Sequence, residues 1–444
     1  MKRKIFGTDG VRGKANVSPI TAEVALRLGL SAGHYFRSSS GTKRVVIGKD
    51  TRRSGYMLEN AITAGFTSVG MNVFLLGPLP TPAIGMLTKS MRADLGVVIS
   101  ASHNSFYDNG IKFFGPDGFK LSDEDELNIE ELCLEELPLV PSEAIGRASR
   151  IDDGLGRYIE AVKTTLKPSF SLDGFKIVID CANGASYKAA PEVLWELGAE
   201  VIQIGNNPNG YNINLQCGSM HPEVAAEAVL REKADLGICL DGDADRLVLI
   251  NEKGHAVNGD QVMALIAEFW KNNDRLKGNG LVATVMSNLG LEKYLEKIGL
   301  HLKRTPVGDR YVMEEMRRAN YNLGGEQSGH IIMTDYMTTG DGLVAALQCL
   351  EALVANERPV SELLNKFEAF PQLIKNIAYG ENIEILEKDV IKKIIADSEK
   401  RLGSNGRLLI RKSGTEPLLR IMAEHHDANL IEEVVQTIMK ALQS

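Results

Sequence analysis

No two cysteines in this chain stand in a C-x-x-C spacing, and the total, Cys133, Cys181, Cys217, Cys239 and Cys349, is odd. A disulfide framework and a zinc ribbon are thereby excluded, which leaves reduced core thiols. Apolar runs approaching the ~18 residues of a membrane span are also missing. The basic start Met1-Lys-Arg-Lys leads into Gly7-Thr-Asp-Gly10 instead of an apolar stretch, so a soluble cytoplasmic protein with no membrane partner is expected. There is no long basic run, and the formal charge is −8, so nucleic acid is not an expected partner. An anionic substrate would need a locally positive pocket. The G-x-x-x-x-G-K-[ST] spacing of a P-loop is absent too, which removes support for nucleoside triphosphate hydrolysis.

What is present is ordinary globular composition, 44% apolar and 24% charged, over 444 residues. That length is about three typical domains. Short Val/Ile-rich runs alternate with longer helical patterns, the signature of βα units and largely parallel sheets. Three stretches share one design: Val45–Asp50 leading to Gly70-Met-Asn-Val73, Ile177–Cys181 leading to Gly198-Ala-Glu-Val201, and Leu281–Val285 leading to Gly299-Leu-His-Leu302. In each, a strand, a polar turn and a helix end on glycine before a new strand begins. The expected class is α/β: three related units with mixed, mainly parallel sheets, spanning 1–150, 151–254 and 255–368, and a C-terminal α+β domain at 369–444. The first boundary follows the acidic tract from Ser122 to Glu136 and the prolines Pro138 and Pro141. For the last domain the pattern predicts a helix from Ile383 to Leu402, strands Arg407–Arg411 and Leu418–Met422, and a final amphipathic helix from Asn429.

Four segments carry chemistry. In Asp241-Gly-Asp-Ala-Asp-Arg246, between two apolar runs, alternate aspartates can converge on one hard cation, and a loop without His or Cys of its own argues against a typical zinc site. Asp241, Asp243, Asp245 and Glu252 also fit EF-hand positions 1, 3, 5 and 12, but position 6 is Arg246 instead of Gly and the flanks are strand-like. Because Mg²⁺ commonly takes one or two carboxylates plus a phosphate, a protein-borne phosphate could complete the set. In Ser100-Ala-Ser-His-Asn104, at the end of an apolar strand, Ser102 could be a nucleophile with His103 or Lys112 moving its proton, or simply a helix cap. Gly324-Gly-Glu-Gln-Ser-Gly-His330 sets Glu326, Ser328 and His330 at alternate positions, on one side of an extended loop, suited to sugar hydroxyls. Arg411-Lys-Ser-Gly-Thr415, with Arg420, has the make-up of an anion-binding loop.

Taken in order, Phe6–Gly13, Ser100–Asn104, Asn109–Lys112, Asp241–Arg246, Gly325–His330 and Arg411–Pro417 resemble the motifs of the α-D-phosphohexomutases over almost the whole chain. The resemblance implies four domains around a central cleft. It implies that Ser102 bears the phosphoryl group beside one Mg²⁺ per subunit held by Asp241, Asp243, Asp245 and that serine. Lys112 would carry the proton, with Arg12, His103 and Arg246 stabilising the phosphoryl in flight. Glu326, Ser328 and His330 would read the sugar, while Arg411, Ser413, Gly414, Thr415 and Arg420 would grip the phosphate that is not reacting. The opening motif and the Gly325–His330 loop point to the branch acting on a hexosamine phosphate. The implied reaction converts glucosamine 6-phosphate to glucosamine 1-phosphate through a 1,6-bisphosphate of glucosamine or glucose and feeds UDP-N-acetylglucosamine synthesis. The same chemistry on mannose or glucose phosphates is the alternative, and a homodimer is among the assemblies the sequence admits. The C-terminal domain is expected to close over the cleft to retain the bisphosphate. Ser105 and Lys412 stand where the family commonly has proline, and each releases a restraint on φ.

Overall fold

The computed structural model describes residues 5–7, 9–37, 41–356, 358–378, 386, 388–412 and 418–443. Each of the first three units is built on the same four strands. In the first they are Arg44–Lys49, Asn72–Pro78, Leu95–Ile99 and Asp108–Phe114; in the second, Lys176–Asp180, Glu200–Ile204, Leu236–Leu240 and Leu247–Asn251; in the third, Gly280–Thr284, His301–Thr305, Leu323–Gly325 and Ile331–Met333. Across every sheet the order is fourth, third, first, second. The first strand pairs in parallel with the second and the third, and the third pairs antiparallel with the fourth. The sheets are therefore mixed, with a parallel trio and an antiparallel edge.

The glycine that ends each helix has the same conformation in all three units. Gly70, Gly198 and Gly299 have φ of +84°, +100° and +72°, and the second strand starts two residues later each time. A left-handed residue there reverses the chain in the shortest distance, and glycine adopts it without a Cβ clash. In the second unit, Gly254 turns a hairpin into the short strand Ala256–Val257, so that sheet continues beyond the expected end at residue 254.

This common topology decides where the chemistry lies. The third-to-fourth strand hairpin loop is 100–107 in the first unit, 241–246 in the second and 326–330 in the third. Ser102, the three aspartates and the Glu326 loop thus occupy one topological position in three copies. The third strands Leu95–Ile99 and Leu236–Leu240 are buried at every residue, as expected for strands covered on both faces. A single apolar cluster runs through all three units, joining Val46 and Leu87 to Ile179 and Ile238 and on to Leu281 and Leu343. Shared burial on that scale fixes the units against one another, and their loops with them.

The C-terminal domain keeps its own core, including Ile421, Val434, Val435 and Ile438. Its sheet is antiparallel, with Leu418–His425 between Gln372–Ala378 and Gly406–Lys412, and is covered by helices Asp389–Leu402 and Ala428–Gln443. The sequence pattern does not reveal the strand Gln372–Ala378. It is an edge strand, polar at Gln372, Lys375 and Asn376, and Ile374 is exposed, so no alternation marks it. Of the helix expected from Ile383, residues 383–385 and 387 lie outside the described residues, and the helix itself starts at Asp389.

The glycine reading makes a graded prediction. At Gly299 an added Cβ would meet only the flexible Lys271 Nζ at 3.3 Å, whereas at Gly70 it would sit 2.9 Å from the Ala144 carbonyl oxygen. Gly299→Ala should cost about 1–2 kcal/mol from left-handed strain alone, and Gly70→Ala should cost more. Unfolding midpoints in urea for the two variants check this, and equal losses would show that the backbone contact adds nothing.

Candidate active site

Ser102 is buried at φ +50°, a left-handed conformation that costs a serine of order 1–3 kcal/mol unless its surroundings enforce it. Several contacts do so. The Ser102 N–H donates to Ser100 Oγ at 2.9 Å, and the Asn104 N–H donates to the Ala101 carbonyl at 3.1 Å. The Ser102 and Asn104 carbonyls each accept from Arg52 Nη2 and from Asn214 Nδ2. Arg52, itself fully buried, is fixed by an ion pair with Asp50. The result aims the hydroxyl outward from the turn, where Oγ donates to Asp241 Oδ2 at 2.5 Å and lies 3.4 Å from His103 Nδ1.

Asp241, Asp243 and Asp245 are buried, and one carboxylate oxygen from each lies within 4.8 Å of the others. The loop backbone is braced by all three units. The Gly242 carbonyl accepts from the Ala185 N–H at 2.8 Å, the Asp243 carbonyl from Thr81 at 3.0 Å and the Ala244 carbonyl from Gly342 at 3.0 Å. Thr81 Oγ1 also donates to Asp243 Oδ2 at 2.8 Å. Asp243 Oδ1 and Asp245 Oδ1 are nonetheless buried without a hydrogen-bond partner among the described residues. Buried oxygens of this kind call for a ligand, and an all-oxygen set with no thiolate suits a hard divalent cation.

Electrostatics make the same point. Burial, and then the charges of Asp245 and Asp243, push Asp241 well above the usual carboxylate range. Burial acts on Asp245 as well, but His330, Lys112 and Arg246 outweigh it and hold that carboxyl well below the range. Lys112, on the fourth strand of the first unit, sits 3.4 Å from Asp243 Oδ2 and 3.2 Å from Asp9 Oδ2. Against the desolvation of burial, Asp9 and Asp243 keep it an ammonium. Arg246 Nε lies 3.9 Å from Asp245 Oδ1, and Arg12 donates to Asp9 at 2.7 Å. His103 behaves oppositely: burial and the cations Arg246 and Arg12 lower its pKa to about 4, leaving it neutral near pH 7. Ser102, His103, Lys112, Arg12, Arg246 and the three aspartates therefore form one cluster.

The Glu326 loop departs from the expected geometry. Glu326 and Ser328 do meet, with Ser328 Oγ donating to Glu326 Oε2 at 3.2 Å, but His330 does not share their face. The loop is a turn closed by the Gly329 N–H on the Glu326 carbonyl at 3.0 Å, and Gly329 at φ +92° ends the alternation. His330 is buried, with Nδ1 3.6 Å from Asp245 Oδ2 and Nε2 3.5 Å from Asp309 Oδ2. It braces the carboxylates, and those carboxylates raise its pKa against the pull of burial.

Arg411 and Arg420 face each other across neighbouring strands and line a cavity of about 280 Å³ with Met286, Ile374, Asn376, Leu409 and Met422. Their Nε atoms are buried without partners among the described residues, and burial together with Arg420 lowers the Arg411 pKa. Two like charges directly opposite are unfavourable unless an anion joins them. Ser413, Gly414 and Thr415 lie outside the described residues, as does the side chain of Lys412.

Sequence reasoning missed Asp9, Lys120, Asp309, Arg52 and Asn214. Lys120 bridges Asp9 Oδ1 and Asp309 Oδ2, both at 2.5 Å, and so ties the first unit to the third beside the cluster. Asp9 lay within the opening motif and could have been singled out. Nothing distinguishes the others from ordinary surface charges and amides until the units are packed.

Four family models match the chain. They describe the phosphoglucomutase/phosphomannomutase α/β/α domain I (residues 3–138), domain II (156–254), domain III (258–370) and C-terminal domain (358–441). Over its full length the chain is 63% identical to the phosphoglucosamine mutase of Cereibacter sphaeroides, covering 99% of that protein. Among solved structures, a phosphoglucomutase/phosphomannomutase family protein from Burkholderia thailandensis shares the fold at a TM-score of 0.83 and 23% identity, covering 99% of this chain and 97% of its own. The N-acetylphosphoglucosamine mutase of Aspergillus fumigatus, in complex with GlcNAc-6P and magnesium, aligns at a TM-score of 0.67 and 18% identity, covering 99% of this chain and 96% of its own. With all four domain models in order and a full-length relative at this identity, the chain belongs to the phosphoglucomutase/phosphomannomutase family, the α-D-phosphohexomutases, and is an enzyme.

Proposed function

We propose that this enzyme interconverts glucosamine 6-phosphate and glucosamine 1-phosphate through a phosphoserine at Ser102 and a hexose 1,6-bisphosphate. The observation that carries the reading is the Ser102 Oγ hydrogen bond to Asp241 inside a buried cluster of three carboxylates faced by Lys112 and Arg246. The choice of sugar is supported by the full-length likeness to the Cereibacter enzyme.

Phosphoryl transfer asks the protein for position and charge, since the transition state is loose and leaves little covalent work. Asp241, Asp243 and Asp245, with an oxygen of the serine phosphate, would hold Mg²⁺, one ion per subunit, which supplies charge neutralisation at the transferring phosphoryl. Arg12 and Arg246 stabilise its equatorial oxygens, and neutral His103 donates a hydrogen bond to them. Lys112 begins as an ammonium. In a loose transition state the leaving Ser102 oxygen gathers charge before the sugar oxygen bonds, so Lys112 gives its proton to Oγ and takes the sugar hydroxyl proton as that bond forms. It ends the half-reaction as it began. The bisphosphate then reorients, and its other phosphate returns to Ser102.

Glu326 and Ser328 bind sugar hydroxyls, and His330 holds Asp245 in place for the metal. Arg411 and Arg420, with Ser413, Gly414 and Thr415, grip the phosphate that is not reacting. The C-terminal domain, with a core of its own, meets the third unit through Arg407 on the Val285 and Ser287 carbonyls and Asn288 on Phe370. A few polar contacts of this kind permit closure over a bound sugar phosphate.

Ser102→Ala should leave the fold intact and reduce the mutase rate at least about 10³-fold, as seen when other nucleophiles are removed. An intact-mass measurement of the parent should place an added phosphoryl group on Ser102, and a variant keeping most of the rate would refute the assignment. Asp243→Asn should lower the rate by about 10²-fold or more, with added Mg²⁺ restoring little; unchanged Mg²⁺ dependence would dismiss the metal cage. Rates on glucosamine 6-phosphate, mannose 6-phosphate and glucose 6-phosphate, measured side by side, decide the sugar. Stoichiometric release of inorganic phosphate would instead make the protein a phosphatase.

A further inference from the structure

Asn214 lies in the irregular segment between strand Glu200–Ile204 and helix Pro222–Glu232 of the second unit. It is buried, its φ is +57°, and its backbone N–H donates to the Ala182 carbonyl at 2.9 Å. Asparagine tolerates this left-handed form better than most residues. Its side chain crosses to the first unit. Nδ2 donates to the carbonyls of Ser102 and Asn104, each at 2.9 Å, and since both partners are acceptors the NH₂ end must face them. Arg52 Nη2 donates to the same two oxygens at 3.1 and 2.5 Å. Two NH₂ groups thus spend every N–H on two carbonyls, and each carbonyl spends both lone pairs.

The arrangement has a direct consequence for the nucleophile. Ser102 is left-handed, and the next residue past the clamp, Ser105, is exposed and brings no ring to fix its φ. The turn is held by what grips its carbonyls. Arg52 belongs to the same unit as the turn, whereas Asn214 reaches it from the unit that carries the aspartates. The metal loop closes the other side: a Cβ on Gly242 would lie 2.5 Å from the Ser102 carbonyl and 2.8 Å from Asn214 Nδ2.

We propose that Asn214 is a positioning residue for phosphoryl transfer, locking the Ser102–Asn104 turn so that Oγ is presented to Asp241 only when the first and second units are docked. This rests on Ser102 being the phosphoryl-bearing serine. Both N–H bonds of the Asn214 amide are taken up by backbone carbonyls, which leaves it none to offer the sugar. Its loss should therefore act on the rate of transfer and leave substrate affinity alone.

Asn214→Asp keeps the size and the left-handed tolerance but presents oxygen lone pairs to the two carbonyls. Asn214→Gly keeps the backbone conformation and removes the amide. With circular dichroism confirming the fold, each should lower kcat about 10²-fold, as misplacement of a reacting group does. KM for glucosamine 6-phosphate should stay within about threefold of the parent's, since the lost amide contributes no substrate binding. The ³¹P resonance of the phosphoserine should shift and broaden. A kcat within twofold of the parent with an unchanged ³¹P line overturns the clamp. Should neither variant fold, hydrogen exchange on the parent decides: residues 101–105 and 212–216 should open together, and independent opening overturns the proposal. A parent that carries no phosphoryl on Ser102 refutes the mechanism itself, while a phosphorylated parent with unaffected variants refutes only the clamp.

Discussion

Three carboxylates held within 4.8 Å of one another and away from water are the constraint on which the rest of this molecule depends. Left alone they would protonate or push apart, because a buried charge is tolerated only when it is paired. The protein answers with an inner set, the cations Lys112 and Arg246 together with the imidazole of His330, and an outer set in which Asp9 and Asp309 are joined through Lys120. The first set comes from three different units. No unit could balance the aspartates alone, so the cluster forms only when all three are packed.

Packing of that kind needs loops that arrive from equivalent directions, and the repeated topology provides them. Each unit presents the hairpin between its third and fourth strands to the same place, one with a serine, one with carboxylates and one with Glu326 and His330. Backbone bonds then cross between units: Thr81 and Gly342 hold the aspartate loop, Leu247 donates to the Gly329 carbonyl at 3.0 Å, and Asn214 holds the serine turn. The shared apolar core makes these distances durable. Dependence on neighbouring units also explains how a serine can be kept at a strained φ without proline beside it.

The C-terminal domain stands apart from this logic. Its core is its own, and its opposed Arg411 and Arg420 face a cavity that reaches Met286 of the third unit. Two guanidinium groups held opposite each other repel, and an anion in the cavity would relieve that repulsion.

Much of the chemistry was written in short contiguous motifs. The spacing of Asp241, Asp243 and Asp245 put three carboxylates within reach of one another, the repeated strand, helix and glycine pattern dictated three like units, and the order of the motifs resembled the family to which the chain belongs. Such features are local, because ligand type and backbone period act over a few residues. Tertiary structure decided the rest. His330, alternating with Glu326 and Ser328 in sequence, turned inward because Gly329 breaks the alternation and Asp245 offers a charge there. Asp309, Lys120, Arg52 and Asn214 carry no signal in sequence, since the contacts that draw them to the site, Arg52 and Asn214 on the Ser102 carbonyl and Lys120 on Asp309, span 50, 112 and 189 positions. The sequence by itself determined which groups could do this chemistry; only the packing of three units determined which of them face one another, because hydrogen bonds and ion pairs act across a few ångströms of space whatever the separation along the chain.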